Sequence, residues 1–320
     1  MNAPSAAMRP AGPADVVLDT DTYNEIDDQF ALAYLLRSSP MLRTQAVYAA
    51  PFSDPSHRFG NFKSDNPAYG MEKSYQEILK ILPLCGREDL SSCVFHGSTR
   101  YLADEQTPVE SAAARDLAQR AMAYTPEQPL YVVGIAAATN IASALLLNPS
   151  IRDRIVVVWL GGNAHTWPHN LEFNASQDIA AARVLFDSGV PLVQLPCMGV
   201  VSAFTTSGPE LTHWLSNQNP LCDYLLDTVL EEMKDCRGVW SRPIWDVTAI
   251  AWLLSGDFTP DRIVPAPLPE YDDTYSFAPD RPPIRYVFHI QRDAVFSDLF
   301  RKLTGTDKAV GQPAGIHTPS

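Results

Sequence analysis

Five acidic residues stand within ten positions near the start of the chain: Asp19, Asp21, Glu25, Asp27 and Asp28. If these carboxylates converge, their mutual repulsion raises several pKa values unless a cation neutralises them. Hard divalent cations prefer carboxylate oxygens, and calcium accepts the irregular geometry that a loop and distant residues supply together. A solvated acidic loop that caps a helix is the commoner explanation of an acidic run. The apolar strand predicted directly before Asp19 favours a buried site instead.

Two known metal-site patterns can be compared with this spacing. An EF-hand loop needs glycine at its sixth position and glutamate at its twelfth. Counted from Asp19, those positions hold asparagine and phenylalanine, so the EF-hand pattern fails. The Asp-Thr-Asp run at 19–21 also fits the strand end of a haloacid-dehalogenase-type phosphatase, which uses magnesium for phosphoryl transfer. The next aspartates follow too soon for that family's distant acidic motif, and this reading is kept as an alternative.

A strand and a helix would position these acids. VVLDTD (16–21) is a β-branched apolar run that stops at carboxylates, and DDQFALAYLLRS (27–38) has apolar residues at helical spacing. Further strands are expected at 41–52, 93–102, 130–137, 155–162, 191–197 and 284–290. Further helices are expected at 70–82, 111–124, 139–149, 175–189, 221–235, 245–256 and 294–303. The stretch 257–283, rich in proline and aspartate, is expected to be a surface loop.

This alternation of strands and helices predicts the fold class. It favours an α/β fold with an open, mainly parallel, Rossmann-like sheet covered by helices on both faces. In such sheets ligands bind beyond the carboxyl ends of the strands. Asp19 and Asp21, Thr139, and the segment after Gly161–Gly162 all fall at those ends.

The domain organisation follows from the same pattern. Residues 15–305 are expected to form a single domain, between a flexible leader at 1–14 and a flexible tail at 306–320. Either Thr139 or Asn140 is expected to cap the helix that starts there, since both residue types are good N-caps.

Composition limits the classes of partner. The 320 residues are 46% hydrophobic and 19% charged, which is typical of a globular protein. A formal charge of −13 disfavours a nucleic-acid backbone or an anionic membrane as the main partner. Five dispersed cysteines without CxxC spacing indicate reduced, buried thiols. Without a secretory h-region or a run of ~20 apolar residues, a soluble cytoplasmic protein that acts on a small molecule is expected.

Four ordered motifs resemble one family. The apolar strand, D-x-D, loop and D-D at 16–28 are followed by IAAATNIASAL (135–145), LGG…EFN (160–174) and WDVTAIAWLL (245–254). Together they resemble the nucleoside hydrolases of the inosine–uridine preferring type, over roughly residues 15–254. The resemblance implies the nucleoside hydrolase fold and a calcium-dependent enzyme that hydrolyses the N-glycosidic bond of a ribonucleoside to free base and ribose.

The resemblance also implies a role for individual residues. Four would hold Ca²⁺: Asp21, Asp28, the backbone carbonyl of Thr139, and Asp246. Three more would hydrogen-bond the ribose hydroxyls and the 5′ side: Asp27, Glu172 and Asn174. Asp21 would also be the general base for a metal-bound water. Asp19 would support the loop without itself being a metal ligand. Attack by water opposite the base would invert the configuration at C1′, and the two cis-hydroxyls of ribose would be required.

The base is the least constrained part of the substrate. Pyrimidine-accepting members often have histidine immediately before the late aspartate, where this chain has Trp245. A tryptophan there resembles purine-preferring members, and aromatic stacking is worth ~1–3 kcal/mol per base. A purine nucleoside is therefore expected, although Trp245 fits equally well as a core residue at a helix start. Five further residues are candidates for the base pocket: Phe173, His165, Trp167, His169 and Tyr23.

The sequence departs from the family pattern in its first loop. Five residues, Thr22 to Ile26, stand where the family has three. The longer loop could narrow the pocket or add Tyr23 or Asn24 as contacts, and it leaves open whether Glu25 replaces Asp27 at the ribose.

Two further points remain open in the sequence. AAPF (49–52) stands where the family places an asparagine that contacts ribose. For the leaving-group acid, the candidates are His96, His165 and His169, on the ground of their near-neutral pKa alone. Besides the phosphohydrolase, a non-catalytic ribose or nucleoside binder is an alternative function. A homodimer or homotetramer is expected.

Overall fold

The computed structural model describes residues 8–54, 64 and 66–306 of the chain. In these ranges the strands are β1 (Ala14–Thr20), β2 (Leu42–Ala49), β3 (Val94–His96), β4 (Leu130–Gly134), β5 (Ile155–Leu160), β6 (Leu192–Leu195), β7 (Thr205–Thr206), β8 (Arg242–Pro243), β9 (Asp261–Pro265), β10 (Leu268–Pro269), β11 (Tyr275–Ser276) and β12 (Pro283–Val287). The α-helices are α1 (Asp27–Arg37), α2 (Pro67–Leu84), α3 (Ala112–Arg120), α4 (Thr139–Leu147), α5 (Phe173–Gln177), α6 (Ile179–Asp187), α7 (Gly208–Leu215), α8 (Pro220–Glu232), α9 (Val247–Leu254) and α10 (Arg292–Thr304). Short 3-10 helices lie at Glu88–Cys93, Ala121–Ala123, Pro149–Asp153 and Val201–Ala203.

One large sheet organises the described part of the chain. Its strand order is β3-β2-β1-β4-β5-β6-β12-β9, and every neighbouring pair is parallel except β12 and β9. Strand β1 lies between β2 and β4, so that Asp19 is flanked by Tyr48 and Gly134. The acidic segment therefore leaves the middle of the sheet, and the predicted open, mainly parallel α/β fold is confirmed.

Side chains of the central strands alternate between two apolar cores. Val16 and Leu18 pack into the core that α1, α2 and α7 to α10 cover, whereas Val17 packs into the core that α3, α4 and α6 cover. Because successive side chains of a strand point to opposite faces, helices must cover both sides to bury such a run. The continuous apolar sequence of β1 is the direct result of this double cover.

The prediction of a plain surface loop at 257–283 was wrong. This stretch contains β9, which is the edge strand of the main sheet, and the antiparallel pair of β10 and β11. An edge strand tolerates proline and charge because one side of its backbone needs no strand partner. The polar composition of β9 therefore concealed it. Helix α7 was not predicted.

Two details of the predicted helices were also wrong. The helix expected over 175–189 is broken at Asp178, whose side chain accepts a hydrogen bond from the backbone of Ala181 and starts α6. Neither Thr139 nor Asn140 caps α4, because both lie within the helix. Their side chains are bonded to other parts of the fold instead.

Arg9 fixes the described start of the chain to the sheet edge. Its guanidinium donates hydrogen bonds to the Asp261 carboxylate at 2.6 Å and to the Ser255 carbonyl at 3.0 Å. It also lies 4.5 Å above the indole ring of Trp252. Residues 1–7 and 307–320 fall outside the described ranges, and the division into leader, domain and tail stays a prediction.

Two smaller expectations concern cysteines and membranes. All five cysteines are free; Cys85, Cys197 and Cys222 are buried as expected, Cys93 is partly buried, and Cys236 is exposed. In the described ranges, no helix combines the length and apolar character needed to cross a membrane.

The Asp261 carboxylate joins three parts of the structure. Besides Arg9, it accepts hydrogen bonds from the indole N–H of Trp252 at 2.8 Å and from Arg285 at 2.7 Å. Burial by itself would raise the pKa of Asp261, but the bonds from Trp252 and Arg285 and the charge of Arg9 hold that pKa below its ordinary value. Because Trp252 belongs to α9, this carboxylate fixes the helix that starts directly after Asp246.

Asp261→Asn is expected to lower the free energy of unfolding by about 2–3 kcal/mol, because hydrogen bonds to a charged group are worth roughly 1.5–3 kcal/mol and two arginines lose their counter-charge. Denaturant unfolding followed by circular dichroism measures the change. Asp280→Asn, at an exposed position, is the matched control and should shift stability by less than about 0.5 kcal/mol. Equal stability of the two variants would contradict the prediction.

Candidate active site

A pocket lies beyond the carboxyl ends of β1, β4 and β5. Six acidic residues line it: Asp21, Glu25, Asp27, Asp28, Glu172 and Asp246. Its apolar wall is formed by Ile135, Leu160, Leu171, Phe173, Met198 and Trp245. Asp21 directly follows β1, Ile135 follows β4, and Leu160 ends β5. The pocket thus occupies the position where an open parallel sheet binds its ligand.

Three carboxylates from distant parts of the chain converge in this pocket. One side-chain oxygen from each of Asp27, Asp28 and Asp246 lies within 4.8 Å of the other two. All three residues are buried, with 2%, 2% and 4% of their surface exposed. The backbone N–H of Asp246 donates to Asp27 Oδ2 at 3.3 Å, and the hydroxyl of Thr20 donates to Asp28. The late helix α9 and the first helix α1 therefore meet at their N-termini.

Asp21 lines the same pocket from the end of β1, but it is not one of the three carboxylates that lie within 4.8 Å of one another. It is 1% exposed, and its Oδ2 has no hydrogen-bond partner among the described residues. Burial first, and then the charge of Asp28, raise the pKa of Asp21 well above its ordinary value. A buried carboxylate oxygen without a donor needs either a proton or a cation.

Burial and repulsion act on the neighbouring acids as well. Burial raises the pKa of Asp28 to about 7, against the lowering effect of its hydrogen bonds with Thr20 and Asp246. For Asp246, burial and then the charges of Asp27 and Asp28 raise the pKa well above the ordinary value. A divalent cation would relieve this repulsion and take up the unpaired oxygen of Asp21. The residues present therefore fit a hard metal ion with oxygen ligands.

Asp19 lies beneath the pocket and is fully buried. Its Oδ1 accepts a hydrogen bond from the side-chain amide of Asn140 at 2.8 Å, and the oxygen of that amide accepts bonds from Ser98 N and Oγ at 2.8 and 2.9 Å. Burial raises the pKa of Asp19 to about 7, against the lowering effect of Asn140. Asn140, expected to cap α4, instead ties the end of β1 to the segment after β3.

Thr139 is held by a second network on the same side of the sheet. Its hydroxyl donates to Asp178 Oδ2 at 2.7 Å, and the same carboxylate oxygen accepts the backbone N–H of Leu102 at 3.0 Å. These bonds fix the start of α4 next to the end of β1. The assignment of the Thr139 carbonyl as a metal ligand stays a prediction.

Glu172 and Asn174 line the pocket from the loop after β5 and the start of α5. The Glu172 carboxylate accepts backbone N–H bonds from Gly162 at 2.7 Å and from Asn174 and Ala175 at 3.0 Å. The Asn174 amide donates to the Leu160 carbonyl at 3.1 Å. Both side chains are thus held in fixed orientations toward the pocket.

Arg242 was missed in the sequence. Its guanidinium donates to Glu25 at 2.8 Å and to Glu232 at 3.2 Å, and only 14% of its side chain is exposed. Burial raises the pKa of Glu25, while the charge of Arg242 opposes that shift. No local pattern marks this arginine, because the acids it pairs with lie elsewhere in the chain.

Two of the candidates for binding the base line the pocket, namely Phe173 and Trp245. Tyr23 does not lie among the described lining residues, although it belongs to the same loop as Glu25. It borders a separate groove between α2 and α8, where the Lys73 ammonium lies 5.8 Å from its ring.

The other candidates lie outside the described lining. The His165 ring packs 4.2 Å from Tyr286, and its Nε2 is 2.9 Å from the side-chain oxygen of Gln194. Burial lowers the pKa of His165. Trp167 is 38% exposed, and His169 is exposed at the same loop. His165 and His169 are candidates for leaving-group protonation, and neither is among the described lining residues of the pocket.

His96 is also placed away from the pocket. It stacks on Tyr75 at 3.7 Å and lies 3.1 Å from the Glu72 carboxylate on the surface. None of the three candidate histidines is among the described lining residues, and the leaving-group acid stays unassigned.

Asn163, Cys197 and Met198 were also missed in the sequence. The Asn163 amide donates to the His169 carbonyl at 3.1 Å, and its oxygen accepts the backbone N–H of Met198 at 3.1 Å. Burial first, and then Glu172, raise the pKa of the Cys197 thiol. Gly161 and Gly162, which directly follow β5, were the sequence feature that could have pointed to Asn163. The loop after β6 has no such feature that would point to Cys197 or Met198.

Comparison with known proteins identifies the family. The model of the inosine-uridine preferring nucleoside hydrolases matches residues 16–277. The chain belongs to this family. The pyrimidine-specific ribonucleoside hydrolase RihA of Citrobacter koseri is 26% identical over 254 residues, which cover 71% of this chain and 76% of RihA. RihA of Salmonella arizonae is 25% identical over 268 residues, covering 76% and 80%.

Solved nucleoside hydrolase structures share the fold. The plant nucleoside hydrolase PpNRh1 superposes with a TM-score of 0.71 at 19% identity, over 92% of this chain and 100% of that one. The purine-preferring ribonucleoside hydrolase of Gardnerella vaginalis gives 0.71 at 18% identity, over 91% and 98%. Membership of the nucleoside hydrolase family, rather than this structural likeness, supports hydrolysis of a ribonucleoside N-glycosidic bond over the phosphohydrolase alternative.

The acid cluster predicts a cation-dependent stability. After treatment with a chelator, addition of Ca²⁺ is expected to raise Tm by about 5–10 °C, because saturating ligand contributes roughly 3–4 kcal/mol. Asp246→Asn should remove most of that increase. In chelator, the same variant should melt above the wild type, since one buried like charge is gone.

Differential scanning calorimetry with and without Ca²⁺ measures both effects. Asp235→Asn, at an exposed position, is the control and should keep the full calcium response. An Asp246→Asn protein with an undiminished response would show that this carboxylate is not a ligand.

Proposed function

We propose that this protein is a calcium-dependent ribonucleoside hydrolase with a preference for purine bases. The observation that carries the proposal is the convergence of Asp27, Asp28 and Asp246 in one buried pocket, which Asp21 also lines and whose apolar wall includes Phe173 and Trp245. Family membership supplies the reaction class. The ion, the base preference and the role of each residue are the parts proposed here.

Calcium would be held by Asp21, Asp28, Asp246 and the backbone carbonyl of Thr139. When bound, it would neutralise the buried acids, hold the 2′- and 3′-hydroxyls of ribose and lower the pKa of a water molecule. Oxygens of Asp27, Asp28 and Asp246 all lie within 4.8 Å of one another, so this limit does not separate the role of Asp27 from that of the other two. Its Oδ2 already accepts the Asp246 N–H, which leaves Oδ1 for a ribose hydroxyl.

The carboxylates suit the charge that develops in the reaction. The bond from C1′ to the base nitrogen breaks, the electron pair leaves with the base, and positive charge spreads over C1′ and the ring oxygen. Buried acids around the sugar stabilise that charge. Asp21 would accept a proton from the water that bonds to C1′ on the face opposite the base, which inverts the configuration. Glu172 and Asn174 would orient the 5′ side.

The purine preference rests on the aromatic part of the wall. Trp245 and Phe173 line the pocket, and a two-ring base covers more of an aromatic surface than a one-ring base. The names of similar proteins point both ways, since RihA is called pyrimidine-specific and the Gardnerella vaginalis enzyme purine-preferring. Direct comparison of substrates must therefore decide.

The remaining parts of the proposal concern location and assembly. A cytoplasmic homodimer or homotetramer that acts on a small ribonucleoside is proposed, as the sequence predicted. The net charge of −13 supports a small uncharged substrate over a nucleic acid or an anionic membrane.

Incubation with inosine, guanosine, adenosine, uridine and cytidine is expected to release free base and reducing sugar. Asp21→Ala should lower kcat at least about 1,000-fold, because it removes both a metal ligand and the proposed base, and a strong chelator should do the same. The 2′-deoxy analogues should react at least about 100-fold more slowly, since they lack one hydroxyl that the metal site would hold.

Two outcomes would overturn this proposal. Thermal stabilisation by ribose or nucleoside without any turnover would indicate a non-catalytic binder. Release of phosphate from sugar phosphates, abolished by Asp19→Asn, would indicate a phosphohydrolase instead.

Trp245→Leu is expected to lower kcat/KM for inosine by about 10-fold and to affect uridine less, because stacking on a purine contributes roughly 1–3 kcal/mol. Steady-state kinetics with both nucleosides measures the ratio. Trp214→Leu is the matched control, since Trp214 packs against the core and Phe300 away from the pocket. Equal losses with inosine and uridine would remove the support for a purine preference.

A further inference from the structure

The loop between β1 and α1 enters the pocket, and two interactions hold the tip of the loop in place. The backbone N–H of Asn24 donates to the Asp21 carbonyl at 2.7 Å, which closes a turn. The next residue, Glu25, is paired with Arg242 at 2.8 Å. Residue 23 points away from the pocket, whereas Asn24 and Glu25 line it. The extra length of this loop therefore places two polar residues inside the site.

Asn24 has an unused hydrogen-bond acceptor in that position. Only 3% of the residue is exposed, and its Oδ1 has no hydrogen-bond partner within the described ranges of the chain. A buried amide oxygen that lacks a donor costs free energy, and folded proteins rarely leave one without a reason. A ligand that brings a donor into the pocket would satisfy it.

The other asparagines of the pocket lining do not share this property. The Asn163 side chain donates to the His169 carbonyl and accepts a bond from the backbone N–H of Met198. The Asn174 side chain donates to the Leu160 carbonyl. Asp21 also has an unpaired oxygen, but that oxygen belongs to a carboxyl group among the acids that fit a cation. Among the described lining residues, Asn24 is thus the neutral one whose side-chain oxygen is buried without a partner.

The surroundings of Asn24 indicate which kinds of substrate group it would contact. The Glu25–Arg242 ion pair connects the loop to the segment that runs into Trp245, the aromatic residue proposed to stack on the base. An amide oxygen in the same pocket as Trp245 can accept from an N–H group of a base or from a sugar O–H, both of which are neutral donors.

We propose that Asn24 is a specificity-determining residue whose side-chain oxygen accepts a hydrogen bond from an N–H or O–H group of the bound nucleoside. The inference rests on the proposed function for its substrate class. A site built to hydrogen-bond a substrate N–H or O–H discriminates strongly against an analogue that lacks it, because the buried protein group is then left unpaired. Asn24 would thus make the pocket selective for nucleosides with an unsubstituted donor at that point.

The test removes the acceptor from the protein and the donor from the substrate. Asn24→Leu keeps the approximate volume without a polar atom, and Asn24→Ser keeps a shorter oxygen as a second variant. Each is assayed with inosine or uridine, whichever the wild type turns over faster. The base donor is removed in 1-methylinosine or 3-methyluridine, and the sugar donor in the 5′-deoxy nucleoside. Calorimetry gives the affinity for each ligand and for Ca²⁺.

For the wild type, one of the two analogues is expected to lower kcat/KM by about 10- to 100-fold, which is the range for one lost hydrogen bond that leaves a buried group unpaired. Asn24→Leu should lower kcat/KM for the parent nucleoside by a similar factor and react equally with the parent and that analogue. Loss confined to the methylated base would assign the donor to the base, and loss confined to the 5′-deoxy compound would assign it to the sugar. Asn24→Ser should recover part of the discrimination, and Ca²⁺ affinity should stay within about 2-fold.

Two results would overturn the inference. In the first, Asn24→Leu folds, binds Ca²⁺ and discriminates against both analogues as the wild type does. In the second, Asn24→Leu loses Ca²⁺ affinity at least about 10-fold, which would make Asn24 a metal ligand. A wild type that hydrolyses no nucleoside would refute the proposed function alone, and the calorimetric affinities would still decide the role of Asn24.

Discussion

The structure depends on placing several carboxylates together at the buried end of its central strand. Like charges in such a place destabilise a folded chain unless other groups compensate. The protein supplies part of the compensation itself: Asp27 and Asp28 occupy the first turn of α1, where the helix dipole favours negative charge. Arg242 compensates Glu25, and Thr20 donates to Asp28. The unpaired oxygen of Asp21 is not compensated by any described residue, and a bound cation would compensate it.

The supports around these acids are of a different kind. Asp19 is held by Asn140, and Asp178 holds Thr139, through hydrogen bonds between fully or largely buried side chains. Each network joins a strand end to a loop from another part of the sheet. Such bonds fix the positions of the segments that are proposed to bind a metal. They add no positive charge, so the repulsion among the carboxylates of the pocket remains. The sheet and its two apolar cores then hold the supporting loops rigid.

Much of this arrangement could be predicted from local pattern, and the rest could not for physical reasons. An apolar run that stops at Asp19 and Asp21 favours a buried strand that delivers its acids to one end, so the sheet and the position of the pocket could be predicted. The partnership of Arg242 with Glu25 could not, since it joins residues far apart in the chain and needs the tertiary fold to exist. The residue type of Asn140 predicts a helix cap. In the structure its side-chain N–H instead donates to the buried Asp19 carboxylate, and its side-chain oxygen accepts from Ser98. The edge strand β9 was hidden because its exposed position permits a polar sequence.

The composition of the pocket bears on how a nucleoside would be cleaved in the proposed reaction. Asp27, Asp28 and Asp246 bring carboxylate oxygens within 4.8 Å of one another, and Phe173 and Trp245 line the same pocket. Positive charge would develop on the sugar during cleavage, so stabilisation by the buried acids would strengthen in the transition state. We therefore expect the acids to provide the main part of the catalysis, and the aromatic side chains to bind the base.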